Sequence, residues 1–310
     1  MRRSDPSTKG EDLPSGGYIL LAILTVTWGL GWPMMKTALG DFPPWTFRAI
    51  CVILGGAGAL AMARGGGVGL AIPAGEWRPL LLVSLVNVTG WNIFSAYGLL
   101  LIEAGRSAII AYTMPVWACI LARLLLGETM TPGRWASLVL GACGLAVLIG
   151  PDLRSLGNAP LGALFMLGAA VSWALGSVLI KSFEWKMPIS LFVGWQLILG
   201  GAPIVAGSLA LEAKAFSSLD ISLGGGLAMV YVVLVGVIFG YWGWIKLIQL
   251  FPVSLASIGT LAVPVIGVLT SALILGEDVG LREMVALGLV MAALGMVSVR
   301  PRQGKKEESR

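Results

Sequence analysis

One stretch of this chain is written twice. Residues 104–128 read AGRSAIIAYTMPVWACILARLLLGE, and residues 253–277 read VSLASIGTLAVPVIGVLTSALILGE. Each is an apolar run of helical length with one proline, Pro115 or Pro264, and each ends in Leu-Gly-Glu. The proline precedes the glutamate by 13 residues in both copies, so they register without a gap at an offset of 149. An interior proline removes a backbone hydrogen bond and kinks a helix, which membrane helices tolerate when neighbours re-satisfy the freed carbonyl.

Composition agrees with a bilayer rather than water. Only 12% of the residues are charged, against about 25% in soluble domains, and the mean hydropathy is +0.88. The 43 glycines suit close helix packing in lipid. No histidine is present, so the commonest metal ligand and neutral-pH proton carrier is missing. Cys51, Cys119 and Cys143 lie in apolar runs and read as small buried hydrophobes. The net charge of +5 is spread over loops and tails and is no nucleic-acid signal. Gly65-Gly66-Gly67 lacks the Gly-Lys-Ser/Thr of a phosphate loop and reads as a link.

About 20 apolar residues cross a bilayer. On that ruler ten spans are expected, near 18–38, 45–63, 79–101, 105–126, 135–150, 159–181, 189–211, 224–247, 254–275 and 283–299. Residues 1–17 and 300–310 read as polar tails. With the N-terminus in the cytosol, Lys36, Arg106, Arg154, Lys214 and Arg282 fall outside. Arg48 sits just inside the second span, and the other lysines and arginines of the 21 fall inside. That bias puts both tails in the cytosol.

The repeat extends beyond its centre. Trp28 and Lys36 in the first span match Trp173 and Lys181 in the sixth at an offset of 145. The fifth and tenth spans share a small-xxx-small step, Ser137/Gly141 and Gly288/Ala292. Residues 18–150 and 151–299 are thus two similar five-span halves. An odd number of spans inverts the second half, and inverted repeats mark transporters with a midplane site between the halves.

Trp28-Gly29 with Lys36, together with the two proline-to-Gly-Glu hairpins, resembles the EamA repeat of the drug/metabolite transporter superfamily over about residues 18–299. The resemblance implies an all-α membrane protein of ten helices that exports small metabolites. Spans one to four and six to nine would enclose a cavity, with five and ten bracing it. Within the superfamily the chain is similar to YddG-type aromatic amino-acid exporters of Gram-negative inner membranes.

Candidate cavity residues follow from polarity and aromaticity at depth. Of the 12 tryptophans, Trp45, Trp77, Trp135 and Trp185 fall at span ends, where such rings prefer headgroups. Trp28, Trp91, Trp117, Trp173, Trp195, Trp242 and Trp244 lie deeper and either pack against lipid or line a cavity. Asn87, Asn92, Ser95, Tyr97, Thr113, Gln196 and Tyr241 either lock helices together or line the cavity, since buried amides need partners. Tyr112 precedes Pro115, whose missing N–H leaves the Ala111 carbonyl free for a substrate ammonium; Thr260 stands likewise before Pro264. Lys36 and Lys181 either snorkel to water or guard the pathway mouths.

Glu128 and Glu277 read as turn residues. No Asp or Glu lies near the centre of any span, which disfavours a central proton relay and cationic substrates. Facilitated movement of a neutral or zwitterionic solute fits better. No metal, cofactor, nucleic acid or catalytic cluster is called for. A nucleotide-sugar or organic-phosphate carrier would need a cationic pocket, and the central regions offer almost no lysine or arginine. A lipid-modifying enzyme would need a reactive cluster, and a scaffold would show no flux.

Overall fold

The computed structural model describes residues 15–126, 132–149, 159–216, 219–250, 260 and 263–298. Both tails, Gly127, Glu128, Arg154 and most of residues 251–262 lie outside these described residues, as does the side chain of Pro115. All described secondary structure is helical.

The first half begins with α1 (Ser15–Asp41) and α2 (Pro44–Gly65). Pro44 opens α2 because the first helical position needs no N–H donor. The third span is a continuous rod of three parts: α3 (Trp77–Val83), a π-helical segment π1 (Ser84–Gly90) and α4 (Trp91–Leu101). The fourth is split into α5 (Ala104–Ala111) and α6 (Met114–Leu126), followed by α7 (Pro132–Ile149).

The second half repeats the order: α8 (Ala159–Ser182), α9 (Ile189–Leu211), the short α10 (Ala213–Phe216), then α11 (Leu223–Tyr231), π2 (Val232–Phe239) and α12 (Gly240–Leu250) as one rod. It ends with α13 (Val263–Leu275) and α14 (Leu281–Ser298). Seven of these rods are long and apolar enough to cross a membrane. Large apolar side chains point outward, Leu273 at 84% and Leu209 at 69% exposure, a surface that suits lipid and not water.

The packing partners exchange when the halves are exchanged. The first span packs on α13 and on the π2 rod, while α8 packs on α6 and on the π1 rod. Likewise π1 packs on α9, and π2 on α2. The corresponding helices α2 and α9 lie antiparallel: a side chain at Gly207 would meet Trp45, one at Gly201 would meet Val52, and one at Gly194 would meet Leu60. The α7 and α14 helices are antiparallel too, with Gly141 against Ala293 and Gly144 against Ala286 and Val290.

Three sequence expectations need correction. Pro115 does not kink the middle of a helix; it sits in the first turn of α6, after a break at Tyr112–Thr113. Pro264 likewise sits in the first turn of α13. Cys51 is buried but Cys143 is exposed, because Gly141 and Gly144 turn the packed face of α7 away from position 143. Trp45 and Trp185 do not simply float at the headgroup layer. Trp45 packs over Gly207 and donates from Nε1 to the Tyr97 hydroxyl at 2.9 Å; Trp185 packs on Phe192 and donates to the Ile180 carbonyl at 2.8 Å.

Candidate binding cavity

The two π segments fall at matching places, Ser84–Gly90 and Val232–Phe239, close to the 149-residue offset of the repeat. A π turn is wider than an α turn, so a carbonyl is left for outside partners; such turns frequently mark functional sites. In π1 one such partner is visible, and two π1 side chains in turn donate to carbonyls of neighbouring helices. Ser172 Oγ donates to the Val86 carbonyl at 2.5 Å, Asn87 Nδ2 donates to the Trp173 carbonyl at 3.4 Å, and Thr89 Oγ1 donates to the Gly200 carbonyl at 2.5 Å. Beyond each π segment the rod presents its next turn to the middle of the bundle, Trp91 and Asn92 in one half, Tyr241 and Trp244 in the other.

There a cavity of about 200 Å³ lies between the halves. Its walls are aromatic: Trp28, Trp32, Trp91, Trp173, Tyr241 and Trp244, with Tyr112 at the break between α5 and α6. The rings form a chain in contact. Trp91 stands edge-on to Trp173 at 5.1 Å, Trp173 to Tyr241 at 5.7 Å, and Trp28 meets Trp244 at 5.6 Å. Thr260 also lines it and is buried. No Asp or Glu lines the cavity among the described residues, and these contain no cluster of His, Cys, Asp and Glu that would hold a metal ion.

One corner of the cavity is polar. Arg48, one turn into α2, is 2% exposed and points inward. Its Nη2 donates to Ser95 Oγ at 2.7 Å, and both Nη atoms lie 3.6 Å from the Met35 sulfur. The guanidinium sits 4.8 Å over the Phe47 ring. Its Nε has no partner. Beside it Asn92 Nδ2 donates to the Val88 carbonyl at 2.8 Å. The Tyr241 hydroxyl is buried beside Asn92, with Arg48 within electrostatic range.

Of the sequence candidates, Trp28, Asn92, Tyr112, Trp173 and Tyr241 line the cavity. Ser95 stands behind it and holds Arg48. Tyr97 accepts from Trp45 and stacks on Phe165 at 5.4 Å. Gln196 is buried and donates to Asn87 Oδ1 at 3.1 Å, a lock between α9 and π1. Trp117 donates to Thr113 Oγ1 at 3.1 Å. Trp195 donates to the Leu70 carbonyl at 2.8 Å, at one end of the bundle. Trp242 faces outward. Lys36 donates to the carbonyls of Leu99 and Ile102, ending the third span; Lys181 is exposed.

The end of the bundle that holds Lys36 is stitched by carboxylates, most of them reaching across to the opposite half. Glu277 accepts from the Ala104 and Gly105 amides at 2.7 and 2.9 Å, capping α5. Glu212 accepts from the Trp45 and Thr46 amides at 3.1 and 2.7 Å, in the first turn of α2. Asp41 accepts from Ser222 N at 2.9 Å, where α11 begins. Arg106 pairs with Glu283 at 2.9 Å and Glu103 at 3.2 Å. Burial raises the Glu103 carboxyl above its ordinary range despite Arg106.

Two matches to the EamA-like transporter family cover residues 15–150 and 160–299, the two halves in turn. The chain belongs to that family. It is thereby a multi-pass membrane protein of the drug/metabolite transporter superfamily. A transporter of Bacillus subtilis, YvbV, is 28% identical over 290 residues, 93% of each chain. A probable amino-acid metabolite efflux pump of Escherichia coli is 25% identical over 89% of this chain and 92% of that one. The aromatic amino acid exporter YddG of Ancylobacter novellus is 27% identical over 167 residues, 53% of this chain and 58% of the other. A solved crystal structure shares the fold with a TM-score of 0.66 at 22% identity, over 91% of this chain and 97% of its own.

Arg48 is the residue that sequence reasoning passed over. It stands close enough to a span end to be taken for a boundary charge. A signal was available: at the 145 offset, Phe47-Arg48-Ala49 aligns with Phe192-Val193-Gly194, so the charge interrupts an otherwise apolar match.

Proposed function

We propose that this protein exports amino acids, aromatic or other hydrophobic ones favoured, and related small metabolites across a bacterial inner membrane. Two inverted five-helix halves rock about the cavity by alternating access, with both termini cytosolic. The exchange of packing partners and the antiparallel pairing of α2 with α9 and α7 with α14 support the inversion. The break at Tyr112–Thr113 and the two π segments supply the joints such motion needs.

The observation that carries the substrate reading is the aromatic cavity itself. Flat rings in edge-to-face contact give stacking surfaces for an aromatic side chain. Its size points the same way, since about 200 Å³ lies below the roughly 300 Å³ at which pockets for drug-sized ligands begin. A nucleotide-sugar carrier would find one cation, Arg48, but not the room. With no carboxylate on the cavity wall among the described residues, transport is facilitative rather than driven by a central acid.

The test is flux of labelled amino acids into liposomes holding the purified protein, with and without a pH gradient. Saturable movement of L-phenylalanine or L-tryptophan, indifferent to the gradient, is expected. Flux driven by the gradient would overturn the facilitative reading. No flux of any amino acid would favour a scaffold or an enzyme.

A further inference from the structure

The corner formed by Arg48, Asn92, Ser95 and Tyr241 is more polar than the rest of the cavity. An arginine within a membrane span is costly and rare, and is retained where it has a function. A guanidinium carries five N–H donors. Here one donates to an oxygen, Ser95 Oγ, and the remaining close contacts are the Met35 sulfur and the face of Phe47. Nε is buried without a partner, and the Tyr241 hydroxyl is buried nearby beside Asn92. Nε takes no part in the contacts that tie Arg48 to Ser95 and Met35. Arg48 and Tyr241 both belong to the cavity wall.

We propose that Arg48 is the carboxylate-recognition residue of this cavity, with Tyr241 as a second donor. The ligand is then a solute bearing one carboxylate beside an aromatic or hydrophobic body. This rests on the transport reading above and deepens it. The open donor is Nε, on the guanidinium edge it shares with Nη2, where a carboxylate oxygen can complete a charge-assisted hydrogen bond. Ser95 and Met35 hold the Nη atoms, so the guanidinium is aimed before a ligand arrives. The tryptophans then receive the apolar body. Among the described residues the cavity wall carries one cation and no acid, which favours a monoanion. A zwitterion leaves its ammonium to be met by the Ala111 carbonyl, four residues before Pro115, which donates no N–H.

The experiment separates this from transport itself. Binding is read as the shift in melting temperature of the full chain in detergent, and flux is read separately in liposomes. The probes are L-phenylalanine, 3-phenylpropionate, L-phenylalaninamide, phenethylamine and phenyl phosphate. The two carboxylates are expected to bind at least about tenfold more tightly than the amide and the amine, the usual range for a charge-assisted pair. Arg48→Gln should abolish that preference, Arg48→Lys should keep part of it, and Tyr241→Phe should weaken it. Equal binding of probes with and without the carboxylate by the native protein would overturn the proposal, and this arm needs no variant to fold. So would an unchanged preference in Arg48→Gln, or tighter binding of the phosphate than of the carboxylates. Absence of flux with the preference intact would strike the transport reading alone.

Discussion

The two halves of this protein share a scaffold but not a site. Phe47 and Phe192 occupy equivalent positions, as do Gly55 and Gly200, Trp28 and Trp173, and the π segments of the third and eighth spans. Of these, Trp28 and Trp173 line the cavity, and the others hold helices against one another. Arg48 stands opposite Val193, Cys51 opposite Gln196, and Asn92 opposite Tyr241. These unrepeated features include the polar corner. The difference teaches that the repeat supplied a frame shared by the two halves, and that divergence within it placed the polar corner on one side of the cavity.

The halves also differ in how their π segments are held. Gly200 lets α9 approach the backbone of π1: a Cβ there would meet Ser84 O at 2.5 Å and Val88 Cβ at 2.6 Å. The equivalent Gly55 faces a side chain, with Val237 Cγ1 at 2.4 Å. Side-chain ends can rotate and a carbonyl in a helix cannot. Gly200→Ala is therefore expected to cost about 1–3 kcal/mol, and Gly55→Ala less, both read as loss of melting temperature. Equal losses would mean that the π segments are interchangeable.

Arg48→Gln should lower affinity for L-phenylalanine by about tenfold. Val193→Ala at the matching site should lower stability without changing affinity more than about twofold, because a lost buried methyl pair is a packing loss. A comparable affinity loss in both variants would make the site symmetric after all. Smaller effects are expected at the stitched end. Glu277→Ala removes the acceptor for two amides of α5 and should cost about 0.5–2 kcal/mol, as other lost helix caps do. Ser172→Ala leaves the widened turn's Val86 carbonyl without its donor and should cost about 1 kcal/mol. Faster hydrogen exchange confined to π1, with π2 unchanged, would show that the first joint depends on its neighbours.

Much of the frame was legible from spacing. Apolar run lengths located the rods, and the matched prolines and Leu-Gly-Glu ends revealed the repeat. Hydrogen-bond register was not legible, because Ser84–Gly90 and Val232–Phe239 carry no residue that distinguishes a π turn from an α turn; their width is set by what packs on them. The prolines were read as kinks since a proline inside an apolar run looks interior. Only the structure puts α5 and α6 on either side of a break. For the cavity, depth along a span was legible and facing was not. Trp28, Trp173 and Tyr241 turn inward, but Trp242, one residue beyond Tyr241, turns outward on the same helix. Gln196 looked like a ligand group and is a helix lock, and Arg48 looked like a boundary and is the cavity's cation.

The most direct test of the cavity as the solute route uses one introduced thiol. Ala174 lines it between the halves, so Ala174→Cys in a chain with Cys51, Cys119 and Cys143 replaced by alanine can be labelled with a bulky thiol reagent in liposomes. Labelling is expected to stop L-phenylalanine flux, and saturating L-phenylalanine is expected to slow the labelling. Complete labelling with undiminished flux would mean that solute does not pass between the halves.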